Sequence, residues 1–136
     1  MKQNMTNLRA AARITSNLPT LSQSQIAKRW QMDADTVRNI IRKHHLSPVP
    51  APWKRARYSI LDIWRVEGVS HASALDLSQH SDLLEPLATA NDLAKLYNCT
   101  PATIRNWARE SVLPSFRLGG SVRFHMFAIQ EVLSEF

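Results

Sequence analysis

The sequence predicts a mainly α-helical chain with small β-hairpins, built from two tandem copies of one unit. Three observations lead to this fold class. The stretch "TVRNIIR" at 36–42 returns as "TIRNWAR" at 103–109. Apolar residues recur at helical spacing around both stretches, and a Gly-Gly turn follows the second one. A chain of 136 residues, 44% of them hydrophobic, is long enough for two small globular domains.

The repeat extends well beyond seven residues. A shift of 67 positions aligns residues 26–46 with 93–113, and seven of these 21 positions are identical, where chance would give roughly one or two. We therefore interpret residues 21–68 as the first repeat and 87–136 as the second.

Two segments lie outside the repeats. Residues 69–86 are rich in Ser, Asp and His and are interpreted as a linker. Residues 1–20 are either a short amphipathic helix or a loose basic arm, and the letters favour neither.

Each repeat is predicted to contain two helices joined by a tight turn. The first helices follow capping boxes, formed by Ser22 with Gln25 and, approximately, by Thr89 with Asp92. The residues expected to cap the second helices are Asp33 and Thr100, the latter followed by proline. The inward stripes of the second helices comprise Val37, Ile40 and Ile41 in one repeat and Ile104, Trp107 and Ala108 in the other. This arrangement is a helix-turn-helix.

A β-hairpin and a closing helix are expected after each helix pair. In the second repeat, "FRL" and "VRF" alternate around Gly119 and Gly120, and the closing helix begins near Met126. The first repeat lacks the two glycines, and prolines 48, 50 and 52 interrupt its first strand. We expect an irregular, more basic hairpin there, carrying Lys54, Arg55 and Arg57.

The charge distribution points to a polyanionic partner. The net charge is +6, and residues 1–68 hold 12 Lys/Arg against 4 Asp/Glu, whereas residues 69–136 hold 5 against 7. We therefore expect the first repeat to contribute more to binding.

The second repeat resembles a known family, the excisionase-type winged helix-turn-helix, a relative of the MerR DNA-binding domain. The stretch "LATANDLAKLYNCTPATIRNWARESVLPSFRLGGSVRFHMFAIQEVL" carries the resemblance. The matching residues are Thr89, Thr103, Ile104, Trp107, Leu113, Pro114, Arg117, Gly119, Gly120, Arg123 and Phe124. The first repeat matches through its helices but departs in the wing, as the hairpin is called in this family.

The resemblance implies DNA binding, with the second helix in the major groove and the wing along the backbone or minor groove. Arginine can donate two hydrogen bonds to guanine, and asparagine can pair with adenine. The implied contacts of the first repeat are Thr36, Arg38, Asn39, Arg42, Lys43, Lys54, Arg55 and Arg57. Those of the second repeat are Thr103, Arg105, Asn106, Arg109, Arg117 and Arg123.

The predicted function is sequence-specific binding of double-stranded DNA in a bacterium or mobile genetic element, as a transcriptional regulator or an excisionase-like recombination factor. A monomer could occupy a direct repeat of about 20 base pairs, whereas a two-fold homo-oligomer would require an inverted repeat. An integrase or RNA polymerase is a further possible partner. The alternative is a protein-interaction module in which one repeat, most plausibly the second, no longer reads DNA.

Other classes of function find little support in the sequence. No set of residues typical of catalysis, of a metal site or of a cofactor site occurs, so we expect neither an enzyme nor a bound metal or cofactor. No apolar run approaches 18 residues, and the single cysteine cannot form an internal disulfide, which favours the cytoplasm.

Overall fold

The computed structural model of the chain describes residues 19–50, 55–69 and 85–134. Within these ranges the fold is mixed but mainly helical, with six helices and two small antiparallel sheets. The first part of the chain contains β1 (Thr20–Ser22), α1 (Gln23–Trp30), α2 (Ala34–Lys43), β2 (Arg57–Ser59) and α3 (Ile60–Val66). The second contains α4 (Ala90–Leu96), α5 (Pro101–Arg109), β3 (Phe116–Leu118), β4 (Ser121–Arg123) and α6 (Met126–Ser134).

Both predicted capping boxes are confirmed. At the start of α1, the Gln25 N–H donates to Ser22 Oγ at 3.3 Å, and the Ser22 N–H donates to Gln25 Oε1 at 2.9 Å. At the start of α4, Thr89 and Asp92 exchange the same pair of bonds, at 3.1 and 2.9 Å. These bonds satisfy N–H groups that a helix leaves unpaired at its first turn, so both helices begin where the sequence predicts.

The starts of α2 and α5 are confirmed as well. Asp33 caps α2 and Thr100 caps α5, each accepting from the N–H three residues on. Pro101 occupies the first position of α5, where its missing N–H costs little. The turns before these helices also correspond, because Gln31 and Asn98 are both left-handed, with φ of 53° and 54°.

The two sheets differ in how they are closed. Strands β3 and β4 form the predicted hairpin, with Gly119 and Gly120 in the turn. Strand β2 pairs instead with β1, and the Leu21–Tyr58 pair of that sheet corresponds to the isolated bridge between Ala88 and Phe124.

Of the irregular hairpin expected in the first repeat, the described residues show β2, which pairs with β1, and the loop before it. Within the described part of the loop before β2, the Val49 N–H donates to the Arg57 carbonyl oxygen at 2.8 Å. Pro48 and Pro50 flank Val49; their own positions would face away from β2, so their missing N–H groups do not interrupt this bond. Residues 51–54, which include the predicted contact Lys54, lie outside the described residues.

The apolar side chains form two clusters that do not follow the repeat boundary. One is centred on α1–α3 and contains the fully buried Trp30 and Trp64, but it also includes Leu87 and Leu118 from the second repeat. The other is centred on α4–α6 and lies wholly within the second repeat. The prediction that Trp107 belongs to a core is wrong, because 37% of this residue is exposed.

No helix among the described residues is both long and apolar enough to cross a membrane.

Candidate nucleic-acid interface

Helix α2 presents one polar edge to solvent. Its inward residues Val37, Ile40 and Ile41 are buried, which turns the opposite side outward. The exposed residues of that edge are Arg38, Asn39, Arg42 and Lys43. All four were predicted as contacts.

Arg38 already has a partner on the same helix. Its Nη2 donates to Asp35 Oδ1 one turn earlier, and both side chains are well exposed. An exposed ion pair of this kind contributes little to stability, so Arg38 can exchange Asp35 for another acceptor at small cost.

Helix α5 presents a corresponding edge. Arg105, Asn106 and Arg109 are exposed, while Ile104 is completely buried. The early threonines of both helices are half-buried: Thr103 Oγ1 lies 2.9 Å from the hydroxyl of Thr100, and the Thr36 N–H donates to Asp33 at 2.7 Å. Thr, Arg, Asn and Arg thus occupy matching positions on both helices, whereas Lys43 of the first repeat has Glu110 as its counterpart.

A basic cleft of about 420 Å³ lies between α5 and the β3–β4 hairpin. Four arginines line it: Arg105 and Arg109 from α5, Arg117 from β3 and Arg123 from β4. Among the described residues that line the cleft, none is acidic. Arg117 is exposed, and within the described part of the chain its Nη1 donates to the Gly120 carbonyl oxygen at 3.1 Å, so Nε and Nη2 can donate to an anion.

Two predicted contacts have other partners in this structure. Arg123 is half-buried, and its Nε and Nη2 donate to the carbonyl oxygens of Trp30 and Gln31, at 2.7 and 2.9 Å. Arg57 is also half-buried and donates from Nε to Thr20 Oγ1 at 2.8 Å. A guanidinium held by backbone oxygens has fewer N–H groups left for DNA. Both residues hold the fold together at these positions.

Arg55 is exposed at the start of the segment that leads into β2. It borders a shallow groove with Arg57 and with Ser22, Gln23, Ser24 and Ala34. Of the basic residues predicted as contacts in the first repeat, the exposed ones therefore lie on α2, apart from Arg55.

A buried polar cluster, which the sequence analysis missed, joins the two repeats. Glu67 accepts from Arg29 Nη2 at 2.7 Å and from Trp30 Nε1 at 2.7 Å, and its Oε1 lies 3.0 Å from Nε2 of His125. Burial alone would raise the pKa of Glu67, but the hydrogen bonds from His125, Arg29 and Trp30 and the charge of Arg29 outweigh it and lower the pKa.

The repeat itself holds a signal that could have revealed this cluster. The shift of 67 positions matches Arg29 with Leu96. After the helix pair the shift is 66 positions, which matches Arg57-Tyr58 with Arg123-Phe124 and Glu67 with Leu133. Charged residues in the first copy thus occupy positions that are apolar in the second. That signal went unused, because each residue alone is typical of a solvated surface.

The hairpin of the second repeat lies against helix α2 of the first. A Cβ built on Gly119 would lie 3.3 Å from both Cδ1 and Cγ1 of Ile40, and 4.0 Å from Cγ2 of Thr36. The exposed edge of α2, the hairpin tip and the basic cleft are therefore neighbouring parts of the molecule.

Comparison with known proteins supports this assignment for the second half of the chain. Residues 89–135 match the model of a family described as a helix-turn-helix domain. The chain thus contains a helix-turn-helix domain, the class of fold that α4, α5 and the hairpin define, and this class indicates DNA binding. No curated protein and no solved structure matches the chain.

Proposed function

We propose that this protein is a sequence-specific, double-stranded DNA-binding protein made of two tandem winged helix-turn-helix repeats. Its role is that of a transcriptional regulator or an excision cofactor of a bacterium or mobile element, in the cytoplasm and without catalysis. The observation that carries the proposal is the pair of matching outward edges on α2 and α5. Each has the order Thr, apolar, Arg, Asn behind an N-cap, and its Arg and Asn are exposed.

The chemistry of these edges suits the major groove. An arginine can donate to both O6 and N7 of guanine, and an asparagine can donate to N7 and accept from N6 of adenine. Arg38 and Asn39 are adjacent on α2 and point about 100° apart, so one is placed to read a base while the other contacts a phosphate. Arg105 and Asn106 repeat this arrangement on α5.

The basic cleft supplies the second part of the proposed interface. A phosphate of the DNA backbone is a strong acceptor for arginine. Arg105, Arg109 and Arg117 approach the cleft from the helix and from the hairpin, so a phosphate held there would fix the orientation of α5 on the duplex.

A selection from a random library of double-stranded DNA, with the intact chain, tests the proposal. We expect enrichment of one bipartite site, with log affinity falling linearly with log salt by about 0.9 for each phosphate contacted. The absence of any enriched sequence, or an affinity that does not respond to salt, would contradict the proposal.

One observation favours a second candidate, a repeat that binds protein instead of DNA. Within the described residues, all the large hydrophobic side chains that are clearly exposed lie in the second repeat, namely Leu96, Trp107, Val112 and Leu133. Residue 110, where the first repeat has Lys43, is glutamate. If Arg105→Ala leaves specific DNA binding unchanged while Arg38→Ala abolishes it, the second repeat does not read DNA and protein binding is the better assignment for it.

A further inference from the structure

We propose that the two repeats read DNA as one rigid body, in which the hairpin of the second repeat sets a fixed separation between α2 and α5. This inference rests on the proposed function and adds a property to it. The site must have a single spacing between its halves, whereas two domains on a flexible linker would accept several.

The first observation is the contact between the hairpin tip and α2. Gly119 is left-handed, with φ of +56°, and any Cβ at this position would press on the side chain of Ile40. Ile40 belongs to the helix that carries Arg38 and Arg42. The hairpin therefore contacts a reading helix directly, without an intervening element.

The second observation is a shared apolar core. Leu118 of β3 and Leu87 are each 1% exposed, and both belong to the cluster centred on the first repeat. Phe116 and Phe127 of the second repeat pack against the same cluster. Moving one repeat relative to the other would expose these side chains to water, which the hydrophobic effect opposes.

The third observation is a set of directional bonds across the same contact. Arg123 donates to the carbonyl oxygens of Trp30 and Gln31, and Gln31 Nε2 donates to the Leu87 oxygen and to Asp92, each at 2.7 Å. The Leu87 N–H donates to the Arg29 oxygen at 2.9 Å. Hydrogen bonds depend on angle, so this set restricts rotation as well as separation.

The fourth observation is the buried cluster around Glu67. His125 of the second repeat contacts the carboxylate that also binds Arg29 and Trp30 of the first. Separating the repeats would remove one partner from a carboxylate whose side chain is fully buried. Such a loss opposes partial opening of the interface.

If the two repeats are rigidly joined, the helical geometry of DNA determines which spacings between the half-sites they can bind. One inserted base pair moves one half-site by about 3.4 Å and rotates it by about 35° around the duplex axis. Five inserted base pairs place it on the opposite face. Two rigidly joined repeats cannot reorient toward the displaced half-site, so one of them must dissociate. Two repeats on a flexible linker could still bind both half-sites.

The test measures affinity for the selected bipartite site and for versions with one or five base pairs inserted between the halves. We expect the wild-type protein to lose affinity at least tenfold with one insertion. With five insertions it should bind no more tightly than to an isolated half-site. Equal affinity for all spacings would overturn the inference and leave the proposed function intact.

Two variants with unchanged net charge locate the origin of the fixed spacing. Arg123→Lys keeps the positive charge but cannot span the two carbonyl oxygens, so we expect weaker binding to the parent site and a smaller penalty for one insertion. Arg65→Lys is the control, because the Arg65 side chain is 69% exposed and pairs with Asp62 on its own helix. Circular dichroism and an unfolding curve verify that each variant folds.

The remaining outcomes are also decisive. An Arg123→Lys protein that keeps the full spacer penalty would overturn the assignment of the fixed spacing to this contact. Selection of a site with only one half would overturn the rigid two-helix reader while leaving DNA binding in place. If no DNA sequence is selected, the proposed function fails and this inference fails with it.

Discussion

The same face of the helix-turn-helix unit has opposite surroundings in the two repeats. In the first repeat it is covered by the second, and in the second repeat it is open to solvent as far as the described residues extend. Arg29, Ile40 and Glu67 are 5%, 3% and 2% exposed, whereas the corresponding Leu96, Trp107 and Leu133 are 59%, 37% and 38% exposed.

Burial at two of these positions is opposite to the usual preference for hydrophobic residues in the interior. The charged residues are the buried ones, because Glu67 finds donors on both repeats and its buried charge is neutralised by Arg29. The leucines are the exposed ones. The difference teaches that the two copies share an outward polar edge but differ in what they contact through this other face.

The largest expected effect comes from deleting the buried carboxylate. Glu67→Ala leaves the buried Arg29 without its carboxylate partner and the Trp30 N–H without its acceptor, so we expect a loss of about 3–5 kcal/mol in the free energy of unfolding. The matched change Leu133→Ala removes a partly exposed side chain and should cost at most about 1 kcal/mol. Urea denaturation of both variants measures the difference, and similar losses would contradict the assigned roles.

Protonation of Glu67 at low pH should lower the free energy of unfolding by less than Glu67→Ala does. Because the folded-state pKa of Glu67 is lowered, its ionised form adds stability above about pH 4.5, and that contribution declines as pH falls through the folded pKa. Glu67→Gln cannot titrate, so its stability should fall less steeply than that of the wild type below this pH. Parallel curves of unfolding free energy against pH would show that Glu67 does not contribute in this way.

The next effect concerns DNA affinity and compares the two reading edges. We expect Arg38→Ala and Arg105→Ala each to cost about 1–3 kcal/mol on the selected site, or about 5- to 150-fold in affinity. The first change should cost more, because we expect the more basic first repeat to contribute more of the affinity: it has Lys43 after Arg42, whereas the second repeat has Glu110 after Arg109. Fluorescence anisotropy at one fixed salt concentration measures both. An equal loss on unrelated DNA would indicate phosphate contacts alone.

The smallest effect should be the same in the two repeats. Ser22→Ala and Thr89→Ala each remove the side-chain half of a capping box, at an expected cost of about 1 kcal/mol in unfolding free energy. Thermal and urea unfolding measure it. A large loss at one position with none at the other would show that the helix starts are not equivalent.

Local features of the fold could be predicted well from the sequence. Ser22, Thr89, Asp33 and Thr100 identify their helix starts because capping depends on only three or four neighbouring residues. Gly119 and Gly120 likewise identify the hairpin, since few other residues adopt the backbone that such a turn requires.

Features that depend on distant parts of the chain could not be predicted in this way. Arg123 matched the wing pattern, but its partners are carbonyl oxygens of Trp30 and Gln31, more than ninety residues away in sequence. Nothing local distinguishes it from Arg117, which is exposed. Helical spacing predicts a core position for Trp107, but among the described residues no neighbour covers it as the hairpin covers Ile40.

The most direct test of two-helix reading is protection of guanine N7 from dimethyl sulfate on the selected site, because this atom lies in the major groove. Two separate protected clusters are predicted, one lost only in Arg38→Ala and the other only in Arg105→Ala. A single protected cluster that survives Arg105→Ala would contradict the claim that both repeats read DNA.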